Sequence, residues 1–285
     1  MVFNVVGKRM KRLSIVVCLA GLALLSAGCL QTQTTSSGAV GVEREQTMLV
    51  SSAEVNRSAD SAYRKTMQQA QQANRLNRDP ALVQRVRGIA TRLIATTGVF
   101  RPDAPGWRWE VNVITSNDLN AWCMPGGKIA VYTGIVERLQ LTDAELAAIM
   151  GREIAHALRE HGREKAGQAT GVGVAAAIGG ALIGSYYGID PSIGRNVLGA
   201  AGELAFMRPN SRGMEQEADR IGVELAARAG FDPAAAVSLW EKMARASSGS
   251  PPQWLSTHPA HATRIEDLKI YSERVRPLYR AEKKN

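Results

Sequence analysis

"IMGREIAHALREHGRE", residues 149–164, is the stretch on which the reading of this chain turns. Residues four apart share one face of a helix. Position 152 and His156 therefore point the same way, with Glu153 one step round. Two histidines at that spacing with a glutamate after the first, H-E-x-x-H, make a helix that grips zinc. Here the first position is Arg152. A guanidinium stays protonated in proteins and cannot be a zinc ligand.

The residues around it establish a helix. Thr142 and Glu145 stand three apart just before the apolar run, which is a capping box. Downstream, "MEQEADRIG", residues 214–222, puts Glu215 and Asp219 four apart on one helical face. A catalytic zinc takes three protein ligands and keeps one open position. Glu215 is the candidate carboxylate ligand beside His156, and Asp219 a carboxylate behind it that orients a ligand imidazole. Glu153 would hold a water against the metal and take its proton. Taken alone, E-x-x-A-D describes any solvated charged face. Its pairing with residues 153–156 gives it meaning.

Composition sets the frame. The chain has 285 residues, 45% hydrophobic and 21% charged, ordinary values for a globular protein. The formal charge is +9, but Lys8, Arg9, Lys11 and Arg12 crowd the first dozen residues. Elsewhere Lys and Arg alternate with Asp and Glu, and no recognition motif accompanies them. Nucleic acid is excluded as a partner, and the basic surface suits anionic lipid.

The N-terminus reads as a targeting segment. "KRMKR" is followed by the apolar "LSIVVCLAGLALLSA", which is too short to span a bilayer comfortably. The run ends in "LLSAGC", which resembles a bacterial lipobox. On that reading residues 1–28 are removed and Cys29 carries lipid. The competing reading is an ordinary cleaved signal with a chance cysteine. Leu30 after the cysteine, by resemblance to the bacterial sorting rule, implies the periplasm and the inner leaflet of the outer membrane. Residues 29–52, rich in Ser, Thr, Gln and Gly, read as a flexible polar tether, and 53–285 as one domain. Cys18 leaves with the signal, so Cys123 has no disulfide partner and reads as a small buried hydrophobe.

Along the domain, residues 53–77 and 79–98 read as helices, the second with Asp79 as cap and Pro80 in its first turn. "WRWEVNVIT" alternates as a strand, and "MPGG" before "KIAVYTGIV" is a hairpin signal. Helices return over 211–229, closed by Gly230, over 231–246, with Asp232 and Pro233 at its start, and over 258–279. Residues 169–189 carry no charge and repeat Gly180, Gly184 and Gly188. They read as a helical segment lying near the site rather than a second span.

Four stretches together resemble the zinc metallopeptidase family of the CAAX prenyl endopeptidases, HtpX, the mitochondrial Oma protease and the periplasmic BepA- and LoiP-type proteases. They are "NAWCMPGGKIAVYTGIV", "GREIAHALREHGRE", "SRGMEQEADRIG" and "STHPAHATRIEDL", and the resemblance as a whole covers residues 85–270. The resemblance implies an α+β, mostly helical, zincin-like fold with a small antiparallel sheet beside the metal helix. It implies one Zn2+ on His156 and Glu215, with Arg152 at the place of the missing first ligand. It makes Glu153 the base and Asp219 the carboxylate behind the ligands. It makes His258 an oxyanion donor or a self-inhibiting ligand. Asn120, Pro125, Gly126 and Gly127 would frame an edge strand that takes substrate by strand addition. The implied function is a membrane-anchored, zinc-dependent metalloendopeptidase acting on unfolded or misassembled envelope proteins. The alternative is a protein that binds such chains without cutting them.

Arg152 leaves three outcomes. It bridges Glu153 and Glu215 and replaces the metal electrostatically. Or metal binds through His156, Glu215 and His258 despite its charge. Or it is a recent change, since a His and an Arg codon can differ by one base and long-inactive enzymes tend to lose such carboxylates. The remaining histidines have plainer readings. His161 falls off the His156 face as a surface or supporting residue, and His261 is exposed. The five tryptophans pack in the core or line a groove.

Overall fold

The computed structural model describes residues 31–170, 210–246 and 263–284. The lipobox with Cys29, residues 171–189 of the apolar segment, His258 and His261 lie outside the described residues. Two short strands, β1 (Gln31–Thr32) and β2 (Gln46–Thr47), precede helices α1 (Ser52–Gln72) and α2 (Pro80–Thr96). Strands β3 (Glu110–Ile114), β4 (Ala121–Met124) and β5 (Lys128–Tyr132) follow, then α3 (Thr133–Arg138), α4 (Asp143–Leu158) and α5 (His161–Thr170). Helices α6 (Arg212–Arg228), α7 (Ala235–Ala246) and α8 (Arg264–Glu282) complete the described chain.

The helices begin where their caps are written. Thr142 Oγ1 accepts from the Glu145 N–H while the Glu145 carboxylate accepts from the Thr142 N–H at 2.9 Å, so the capping box that predicts α4 is formed. Asp79 caps α2 ahead of Pro80, and Asp232 Oδ1 accepts from Ala234 N–H before α7. At the end of α6, Gly230 has φ +73°, and Phe231 N–H reaches back to Ala226 O at 2.9 Å. That left-handed close suits glycine, which has no Cβ to clash.

The fold is α+β and mostly helical, as expected, but the three-stranded sheet is mixed rather than wholly antiparallel. β4 and β5 form the antiparallel hairpin, and β3 lies parallel to β5 with Glu110 opposite Lys128. The antiparallel expectation came with the family resemblance, and the hairpin part of it is the β4–β5 pair. Residues 115–120 carry the chain past β5, so β4 enters on its far side. Alternate residues face opposite layers, the period-two rule of a strand. Ala121, Cys123, Ile129 and Val131 enter the main core. Trp122, Met124, Ala130 and Tyr132 meet α1, where Tyr63 packs edge-on against Trp122 at 6.1 Å between ring centres. Cys123 is thus the buried hydrophobe anticipated, and burial pushes its thiol well above the usual cysteine range.

Residues 31–51 are not a free tether. Val40 and Val42 are buried in the main core, and Val40 N–H donates to Glu224 at 3.0 Å. Arg44 ion-pairs with Glu164 at 2.6 Å and with Glu217. Buried Gln46 donates to Arg159 O at 2.7 Å and to Glu164 at 2.8 Å. Polar composition alone suggests a tether. Two alternating valines and a run of side chains matched to buried acids make it a strap.

Helices α4 and α6 cross at a glycine pair. A Cβ on Gly222 would lie 2.7 Å from Arg152 N, and one on Gly151 would lie 2.9 Å from Gly222 O. Only two glycines allow backbones this close. The crossing brings Arg152 against the helix face that carries Glu215 and Asp219. Among the described residues no helix is long and apolar enough to cross a membrane.

Candidate active site

The sequence assigns Arg152, Glu153, His156, Glu215 and Asp219 to one point, and the structure gathers them there. None is more than 4% exposed. The Arg152 guanidinium lies at the middle. Its Nε donates to Asp219 Oδ1 at 2.9 Å, Nη1 to Glu153 Oε1 at 2.7 Å, and Nη2 to Glu215 Oε2 in a shorter contact. One planar fork therefore serves three carboxylates. Burial alone would lower the Arg152 pKa, but attraction from Glu215, Glu153 and Asp219 outweighs it and holds the group above the ordinary guanidinium range. His156 turns Nε2 toward the same place, 3.7 Å from Glu215 Oε1.

A second cation joins from α8. Arg264 Nη2 reaches Glu215 Oε2 at 2.8 Å, and Nε lies 2.7 Å from Asp219 Oδ2. Its guanidinium stacks on Trp240 at 4.0 Å from the ring centre, which fixes its plane. Asn210 Nδ2 donates to the remaining oxygen of Glu215 at 2.7 Å. Sequence reasoning quoted Arg264 within its motif but gave it no role, and it passed over Asn210. A buried pair of acids on α6 implies cations to meet them. That argument could have drawn attention to the arginine in "THPAHATRI".

His161 is fully buried, not at a helix surface, and serves as a supporting residue. Its Nδ1 lies 2.8 Å from His156 Nδ1, and its Nε2 lies 3.0 Å from Glu217 Oε2. Burial lowers the His161 pKa, against the pull of Glu217. Burial would raise Glu217, yet hydrogen bonds from His161 and Arg44 pull it down to about 2. The sequence hid Glu217 because residues two apart on a helix face nearly opposite ways. It leaves the Glu215 face and meets α5 instead.

The residues expected to frame a substrate strand sit in the β4–β5 hairpin. Asn120 is buried at the entry to β4, and its carbonyl accepts from Tyr132 N–H at 3.0 Å. Pro125, Gly126 and Gly127 make the turn, with φ +80° and +85° at the glycines. A Cβ on Gly127 would lie 2.7 Å from the Trp109 ring. The turn therefore needs these glycines for folding, whatever else it does. β4 is at the border of the described sheet and packs on α4, but its residues are 0–2% exposed. In this conformation that edge is covered.

The described residues do not by themselves fit a zinc ion. Among the described residues no group of three His, Cys, Asp or Glu could hold a metal. His156 and Glu215 supply two donors, and a fixed cation occupies the side where the third would come. The same guanidinium donates to one oxygen of Glu153 and to one of Glu215.

Comparison with known proteins agrees with the fold. The chain is 38% identical over 179 residues to the Metalloendopeptidase OMA1, mitochondrial, of Bos taurus, covering 58% of this chain and 33% of that one. It is 32% identical over 186 residues to the mitochondrial metalloendopeptidase OMA1 of Schizosaccharomyces pombe, 65% of this chain and 51% of that one. It is 28% identical over 209 residues to the Beta-barrel assembly-enhancing protease of Escherichia coli strain K12, 70% and 41% respectively. The match thus spans a third to a half of these relatives' lengths. The family model for peptidase family M48 matches residues 80–272, and the chain belongs to that family.

Proposed function

We propose that this protein is of metalloendopeptidase design, works in quality control of the bacterial envelope, and carries a guanidinium where a zinc ion would sit. Membership of peptidase family M48 and the metalloendopeptidases among its relatives support the design. The lipobox-like "LLSAGC" supports anchoring through Cys29 at the periplasmic face of the outer membrane. The substrates or clients are unfolded or misassembled envelope proteins, engaged as extended chains. The observation that carries the proposal is Arg152 buried against Glu153, Glu215 and Asp219. Arg152 stands where an imidazole would hold a metal and engages Glu153 Oε1 at 2.7 Å, so engaged chains are held rather than cut.

A second reading, hydrolysis by the chain as it stands, draws on the rest of the machinery being in place. Glu153, His156, Glu215 and Asp219 keep the layout a peptidase would use. Zinc analysis and casein cleavage, with and without chelator, on the protein and on Arg152→His separate the two. The first reading expects no chelator-sensitive cleavage until His replaces Arg152, and zinc bound only then. Chelator-sensitive cleavage by the unaltered chain, abolished in Glu153→Gln, would establish the second reading instead.

A further inference from the structure

We propose that His161 and Glu217 are positioning residues that fix which nitrogen of His156 carries its proton, with Arg44 of the N-terminal strap anchoring them. The inference extends the site described above, but it is read without turnover and stands whichever activity the protein has.

Glu217 accepts from Arg159 Nε at 2.9 Å and from Arg44 Nη2 at 3.3 Å, besides a shorter bond from Arg44 Nε. A carboxylate among such donors can only accept. His161 Nε2, 3.0 Å from Glu217 Oε2, must therefore carry a hydrogen and donate it. Between the two Nδ1 atoms, 2.8 Å apart, there is room for one hydrogen. A positive charge on His161 would be the third on Glu217, beside Arg159 and Arg44, which already share it. His161 is thus the neutral ring with bare Nδ1, and the hydrogen between the rings belongs to His156 Nδ1. His156 Nε2 is then bare.

The anchoring runs outward. Arg44 spans Glu217 and Glu164, and Gln46 fixes Glu164 and the Arg159 carbonyl. A strap that begins next to the candidate lipid anchor therefore reaches His156 through two side chains. Aiming a ring by a hydrogen bond to its other nitrogen is the known way to set the direction of an imidazole lone pair.

The test is the tautomer itself. The full chain, labelled with 15N-histidine, carries four histidines. Their rings are assigned by removing each in turn and read by long-range proton–nitrogen correlation. His156 is expected as a single Nδ1–H tautomer and His161 as Nε2–H. In Glu217→Gln, whose amide oxygen still accepts, the pattern is retained. In Glu217→Ala or His161→Phe, the single His156 form gives way to a mixture. A wild-type His156 protonated at Nε2 overturns the proposal, and needs no variant to fold. An unchanged His156 tautomer in a folded His161→Phe or Glu217→Ala protein overturns it equally.

Discussion

Replacing Arg152 by Met tests whether the guanidinium does a metal's electrostatic work. Methionine fills a similar volume with a flexible apolar chain, so the change removes charge more than packing. What remains is Glu153, Glu215 and Asp219, none above 4% exposed. Arg264 still meets Glu215 and Asp219, and Asn210 still meets Glu215, but Glu153 loses its 2.7 Å ion pair with Arg152. Removing one partner of a buried pair costs about 3–5 kcal/mol, because a charge is left uncompensated away from water. For a domain of this size each kcal/mol lowers Tm by about 2–4 °C, so a fall of about 6–20 °C is expected. Circular dichroism melts and urea unfolding at neutral pH measure it. The double variant Arg152→Met with Glu153→Gln removes the unpaired negative charge as well and should recover about 1–2 kcal/mol, since the two sites share one network. A loss below about 1 kcal/mol, or a double variant less stable than Arg152→Met, would refute the claim that Arg152 balances these acids.

Further outcomes follow from the same geometry. Glu217 is held at about 2, well below the usual carboxylate value, so its contribution is full above pH 4.5 and is lost as pH falls from there toward 2; urea unfolding of wild type and Glu217→Gln over that range should converge at the acid end. Gly222→Ala places a methyl 2.7 Å from Arg152 N and should cost about 1–3 kcal/mol by forcing α6 off α4, read as a lower urea midpoint. Arg44→Ala releases the strap, so amide exchange at Val40 and Val42 should rise while exchange at Leu146 and Ile149 in α4 stays slow.

Much of this arrangement was legible because it is local. Caps at Thr142 and Asp79 use side chains three residues from their targets, and the spacing of Arg152 to His156 or of E-x-x-A-D reports a shared helix face directly. What escaped is what two distant segments do together. The Gly151–Gly222 crossing joins residues 71 positions apart, and neither glycine sits in a turn that would announce it. The strap at 31–51 looks like a linker until Glu164, Glu217 and Glu224 supply partners for it. The parallel pairing of β3 depends on how residues 115–120 route the chain, and strand alternation is the same either way.

The three buried carboxylates bear on how Arg152 arose. Their retention suggests a metal lost only recently, since acids with nothing to hold them should drift away. The structure weakens that inference. Glu215 accepts from Arg152, Arg264 and Asn210, and Asp219 from Arg152 with Arg264 alongside. Glu153 is paired with Arg152 as well. Each acid is needed by a buried cation, so losing any one would expose a guanidinium to the same desolvation cost. Selection for stability alone keeps the layout in place with no metal present. It follows that Glu153→Gln in the unaltered chain should reduce stability, whereas in Arg152→His, where that guanidinium is gone, the same substitution should leave stability closer to unchanged and abolish any cleavage. Equal destabilisation in both backgrounds would mean that Glu153 is not held by Arg152, and the acids would again need another explanation.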